Sequence, residues 1–187
     1  MSIAIIGSAG RTPKDLKYLT LNSFKEMVKQ TKNIIEKDWK LNAPPLVSGG
    51  AAWSDHVAVQ LFLEDYCKTL TIHFPCEWDS KNQCFDKYSF CGKTANKLHE
   101  QFSKKTGFSS LKQIDMALTK GAKYTVTKEG FLARNTKVAK EAQYMIAFTT
   151  TLTNEPTDGG TKDTWDKSEE KKHHVSICTL LQQKLRF

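Results

Sequence analysis

SIAIIGSAGR (residues 2–11) is a short apolar run that stops at glycines, and the same design returns at PLVSGG (residues 45–50). An apolar run closed by glycine reads as a fully buried strand that enters a tight loop. Between the two, Leu21, Phe24, Met27, Val28, Ile34 and Ile35 recur at helical spacing among lysines, so 20–40 reads as an amphipathic helix. Ala43-Pro44-Pro45 ends it, because proline cannot continue a helix and constrains the residue before it. Val57, Leu61, Phe62 and Tyr66 mark a second helix, with Ser54 and Asp55 as capping types, and KTLTIHF (68–74) is a third strand stopped by Pro75. Strand, helix, strand, helix, strand at this pace is the signature of a parallel sheet. Right-handed crossovers then bring the glycine turns to the carboxyl ends of the strands. The fold class is therefore α/β, a Rossmann-like, mostly parallel sheet flanked by helices.

Further along, the rhythm breaks. Residues 76–128 are rich in aromatics and lysine, with helical pieces near 95–104 and 110–120, and read as an insertion or an enlarged crossover, at about 83–128, within one domain spanning 1–187. Helical spacing resumes over 131–142, QYMIAFT (143–149) is a fourth strand, 162–172 a further helix and 174–180 a final strand. The 187 residues are 39% hydrophobic and 26% charged, a globular composition. No apolar run approaches the roughly 20 residues that cross a bilayer, so no membrane association is expected.

The net charge is +8, from 28 basic and 20 acidic residues, and the only arginines are Arg11, Arg134 and Arg186. Such a balance attracts anions. A dedicated nucleic-acid binder would show arginine forks or a basic stripe with interleaved aromatics, whereas these lysines are scattered. The five cysteines form no CxxC pair, which argues against a zinc ribbon and for reduced thiols in a cytoplasmic protein. His173 and His174 are adjacent on an expected strand and would point to opposite faces, so no metal site is expected there. No cofactor is expected, and a homo-oligomer is left open.

Three turns combine glycine with small hydroxyl residues: Gly7, Ser8, Gly10 and Arg11; Gly49 and Gly50 leading to Asp55; and Gly159, Gly160 and Thr161. Glycine lets backbone approach a ligand closely, and a helix amino terminus offers unpaired N–H groups to an anion. Three such turns after buried strands point to a phosphate or nucleotide pocket. Two familiar motifs fail. Gly7-x-x-Gly10 is not GxGxxG, and the Walker-like Cys91-Gly92-Lys93-Thr94 has Lys87 where the first glycine belongs. Each candidate has an ordinary alternative. Arg134 suits a phosphate or a surface carboxylate; Asp55 a ribose or a helix cap; Trp53 a base or the core; Asp158 and Asp163 the amino end of the last helix.

The order and spacing of these pieces carry a resemblance. Ile5-Ile6-Gly7-Ser8-Ala9-Gly10-Arg11, then Val47-Ser48-Gly49-Gly50-Ala51-Ala52-Trp53-Ser54-Asp55, then Ala133-Arg134-Asn135, Met145-Ile146-Ala147-Phe148, Asp158-Gly159-Gly160-Thr161-Lys162-Asp163-Thr164 and His174-Val175-Ser176-Ile177 resemble the YspA-like branch of the SLOG superfamily, which also contains the DprA and LOG (lysine-decarboxylase-like) proteins. The resemblance covers most of the chain except 83–128. It implies a Rossmann-like sheet with a nucleotide-derived ligand over the glycine turns. Some LOG members hydrolyse the N-glycosidic bond of nucleoside monophosphates, with an arginine before the fourth strand and a glutamate three residues after the threonine of the last glycine turn. Arg134 matches the first position. The second is Thr164, with Asp163 as the nearest carboxylate. Glycosidic cleavage passes through an oxocarbenium-like state that needs a placed carboxylate. The departure therefore favours binding without turnover, with Asp163 or Asp55 as the candidate substitutes. Phosphate would rest on Gly7–Arg11 and Gly159–Thr161 with Arg134 neutralising charge, Ser48–Asp55 would line the sugar or base side, Asn135 would complete the site, and Arg134 with Asp163 would be the catalytic pair if the protein were a hydrolase. A DprA-like binder of single-stranded nucleic acid is the third reading.

Overall fold

The computed structural model describes residues 1–169 and 171–184. In chain order its elements are β1 (Ile3–Gly7), α1 (Pro13–Tyr18), α2 (Leu21–Asn33, running on into a π-helical turn, Ile34–Asp38), β2 (Leu46–Ser48), α3 (His56–Leu63) and β3 (Leu70–Phe74). A small hairpin follows, β4 (Trp78–Asp79) and β5 (Cys84–Phe85), then α4 (Phe90–Thr106), α5 (Ser110–Lys120) and β6 (Lys123–Val126). The chain ends with α6 (Phe131–Glu141), β7 (Tyr144–Thr149), α7 (Gly159–Asp166), β8 (Lys171–Ser176) and α8 (Ile177–Lys184).

Six strands form one sheet in the order β6-β3-β2-β1-β7-β8, and every pairing is parallel. The period-two alternation of a strand explains why the central ones are apolar throughout. Ile3 and Ile5 of β1 join Ile146 and Phe148 of β7 in a large core under α2, α3, α4 and α5. Their neighbours Ala4 and Ile6 join Met145 and Ala147 on the opposite face, under Val138 and Ala139 of α6 and Trp165 of α7. The helices begin and end where local chemistry dictates. Thr20 and Ser23 form a capping box at α2, Ser89 accepts the Gly92 N–H at α4, and α4 and α5 end on left-handed Gly107 and Gly121.

The expected strands over 2–74 and 143–149 are present, shifted by a residue or two at their ends. Three things differ. Lys123–Val126 is a sheet strand, so the irregular stretch is a crossover that ends on the edge of the sheet. It escapes a reading by apolar runs because an edge strand is exposed and polar. His73 bolts it in place, with Nδ1 2.7 Å from the Thr125 hydroxyl and Nε2 2.8 Å from the Glu141 carboxylate. The last strand is Lys171–Ser176 rather than 174–180, and Ile177 onward turns into α8, whose Ile177 joins the large core. The last-loop helix starts at Gly159 and ends at Asp166, not over 162–172, so its glycines are the first helical residues.

Candidate functional site

From β1 the chain builds the sheet outward through β2, β3 and β6, then returns to place β7 on the other side of β1. Loops leaving the carboxyl ends of β1 and β7 therefore diverge to opposite faces and leave a crevice, the usual ligand position in open parallel sheets. A cleft of about 360 Å³ lies there. Its floor is the ends of β1 and β7 at Gly7, Ser8, Thr149 and Thr150; its walls are α6 and the opening turn of α7. All three glycine turns contribute to it, the Gly49–Asp55 turn through Ala51 and Asp55.

Gly7 is required by the close approach of the two strand ends. A Cβ there would lie 2.0 Å from the Phe148 carbonyl oxygen, at φ +151°. The Ser8 N–H donates to that same carbonyl at 2.8 Å. Gly10 lies outside the cleft lining, packed beneath Trp53, whose own ring is fully buried 4.8 Å from that of Phe102. Trp53 is therefore core.

The Gly49–Asp55 turn works as a clamp. The Asp55 carboxylate accepts the Gly49 N–H at 3.1 Å, and Ser48 Oγ accepts the Gly50 N–H at 3.0 Å. These amides are therefore committed within the turn, and only Ala51 and Asp55 of this segment reach the main cleft. Asp55 makes no side-chain capping bond to α3. It holds Arg134 instead: Arg134 Nη1 donates to Asp55 Oδ2 at 3.2 Å and to the Gly49 carbonyl at 2.7 Å. The pair is buried, with side chains 9% and 7% exposed, so Arg134 is not a surface ion pair. Burial pushes the Asp55 carboxyl above its ordinary value, against the pull of Arg134 and of the Ala51 and Gly49 N–H groups. Burial likewise lowers Arg134 from its ordinary value, with Asp55 opposing; a guanidinium stays charged in such a setting. Arg134 Nε is buried with no partner among the described residues. A buried donor without a partner costs free energy, and other atoms of the same side chain line the cleft.

Asn135 links the two walls. Its Nδ2 donates to the Gly160 carbonyl at 3.2 Å and to Asp163 Oδ2 at 3.1 Å. This sets the opening turn of α7, Gly159, Gly160 and Thr161, against Arg134's helix and lines the cleft with it. Asp163 is turned away. It is held by Asn135 and by Lys167 at 2.9 Å and does not line the cleft. Thr164, at the position of the LOG glutamate, donates its hydroxyl to Gly160 at 2.8 Å. The carboxylates that do line the cleft are Asp15, Asp55 and Asp158.

Sequence reasoning missed five of the lining residues. Phe131 lines the cleft as the first residue of α6. Asp15 accepts the Thr150 hydroxyl at 2.7 Å. Thr149, Thr150 and Thr151 line the floor, and Thr149 Oγ1 lies 2.8 Å from His174 Nε2. Position was the available signal, since these threonines close and directly follow a buried parallel strand; nothing local marks Asp15. Among the described residues no group of three or more metal-ligating side chains is assembled, the five cysteines are free, and no helix is long and apolar enough to cross a membrane.

Gly49→Ala is expected to break the clamp, because the new Cβ would sit 1.7 Å from Arg134 Nη1. Thermal unfolding should register a loss of at least about 2 kcal/mol, as for other overpacked buried sites.

Fold and cleft together define a Rossmann-like α/β protein with an arginine-containing cavity at the strand-order reversal. No family model matches the sequence. The chain is 39% identical over 168 residues, 88% of its own length and 89% of the relative's, to "Uncharacterized protein R261" of Acanthamoeba polyphaga mimivirus, and it belongs to the family of that protein.

Proposed function

We propose that the protein binds a nucleotide or nucleotide-derived small molecule in the cleft between β1 and β7, as a cytoplasmic binding protein of the SLOG type. The observation that carries this reading is that the α7 amino terminus and Arg134, a buried guanidinium, line the same cleft. A helix amino terminus and a guanidinium both favour a phosphate. Phe131, Leu132 and Val138 supply apolar wall for a base, and Asp158, exposed at the rim, supplies an acceptor for a ribose hydroxyl. The volume falls in the range of small-molecule sites.

Hydrolysis of the glycosidic bond is the weaker reading. Of the two carboxylates expected for it, Asp163 faces Asn135 and Lys167 rather than the cleft, Asp55 lines the cleft but is held by Arg134 and the Gly49 N–H, and Thr164 brings no carboxylate. Isothermal titration against nucleoside mono-, di- and triphosphates and cyclic nucleotides tests the proposal. Saturable binding of at least one phosphorylated nucleoside, and none of the free nucleosides, is expected. A folded protein that binds nothing in the panel contradicts it.

A further inference from the structure

Arg134 is not the only guanidinium at the cleft. Arg11 Cζ lies 4.6 Å from the centroid of the Phe131 ring, and Arg134 Cζ lies 5.8 Å from the same centroid. The Arg11 side chain is exposed, and no carboxylate pairs with it among the described residues. Asp15, four residues on, has one oxygen on the Thr12 hydroxyl and the other on that of Thr150. Asp55 is occupied by Arg134 and Gly49. Two like charges gathered on one aromatic ring repel each other, and an anion between them turns that repulsion into attraction.

This locus is distinct from the α7 amino terminus. Arg134 Nη1 reaches Gly49, just past the end of β2, whereas the opening turn of α7 follows the loop from β7. β2 and β7 flank β1 on opposite sides, so the two loci stand on opposite sides of the β1 end. Neighbouring strands lie about 4.8 Å apart, which separates β2 from β7 by about 10 Å. One phosphate group touches one locus well. Two phosphates sharing a bridging oxygen reach both.

We propose that the cleft takes a nucleoside diphosphate, with one phosphate on the Gly159–Thr161 turn and the other on Arg11 and Arg134. The proposal rests on the nucleotide reading above and narrows it.

The test is titration of the whole chain, wild type and Arg11→Ala, with AMP, ADP and inorganic pyrophosphate in metal-free buffer. A charge-assisted contact contributes about 1.5–3 kcal/mol, so ADP should bind wild type about 10- to 100-fold more tightly than AMP. Arg11→Ala should erase most of that preference, weakening ADP at least about 10-fold and AMP by less than about threefold, and Arg11→Lys should restore part of it. AMP binding as tightly as ADP, or Arg11→Ala weakening both by the same factor, overturns the diphosphate subsite and leaves the nucleotide reading standing. Pyrophosphate binding as tightly as ADP supports the subsite and overturns the nucleotide reading. No binding of any of the three overturns both.

Discussion

Asp55→Ala is expected to destabilise the protein by about 3–5 kcal/mol, the cost of leaving a buried charge without its partner. Asp55 is the hub of the clamp: one carboxylate oxygen takes both the Gly49 N–H and the Arg134 guanidinium. Removing it strands Arg134 Nη1 with the Gly49 carbonyl alone and leaves Nε still unpaired. Replacing both partners together, Asp55→Leu with Arg134→Met, should recover much of that loss, because an apolar pair of similar volume needs no desolvation of charge. The double variant should not recover ligand binding. Urea unfolding of wild type and the two variants measures this, and a single-variant loss below about 1 kcal/mol would show that the pair is not buried in solution.

The second large effect is on pH dependence. His56 and His99 are fully buried, and burial pushes them down to about 4 and about 3 from an ordinary 6.5. His56 Nε2 lies 2.8 Å from Gln113 Oε1, and His99 Nε2 lies 3.1 Å from the Gly50 carbonyl. Both are neutral in the folded protein and take up protons on unfolding. Their stabilisation is therefore complete above about pH 6.5 and is lost as pH falls toward the folded values. Each contributes a slope of up to about 1.4 kcal/mol per pH unit, so about 4 kcal/mol should disappear between pH 7 and pH 5. His73 and His174 are shifted the same way, each chiefly by burial, and add to the effect. The raised Asp55 carboxyl acts with the opposite sign, and the carboxylates with lowered values, such as Glu64 and Asp86, titrate below this window. Chemical denaturation in steps from pH 7 to pH 5 checks the slope, and His99→Gln should remove a substantial share of it. A stability unchanged across that range would mean that the two rings are hydrated or already charged.

The sequence made some of this plain and hid the rest, for physical reasons. Central strands such as β1 and β7 are buried on both faces, so each is an uninterrupted apolar run that can be read directly. Edge strands β6 and β8 carry Lys123, Lys171 and His173 in place of apolar residues, and their membership is decided by partners far away in the chain. The glycine turns were legible as close approaches, and their convergence follows from parallel topology. What each one does was not. The turn at Gly49 resembles a phosphate cradle, yet Asp55 and Ser48 consume its amides. Asp55 looked like a cap and is a buried partner of Arg134 across 79 positions of sequence, a pairing that spacing alone cannot reveal. Asp163 stands one residue from the LOG glutamate's place, but one residue on a helix is a rotation of about 100°, enough to turn it from the cleft to Lys167.

The central claim is that an anion is held between the α7 amino terminus and Arg134. The direct measurement is a ¹⁵N-labelled titration with ADP that follows the backbone amides and the arginine Nε–H signals together. The account predicts saturable shifts at the Gly159, Gly160 and Thr161 amides and at Arg134 Nε–H, tracking one another with a single dissociation constant. Shifts confined to surface lysine segments such as α4, with those four signals unmoved, would contradict it.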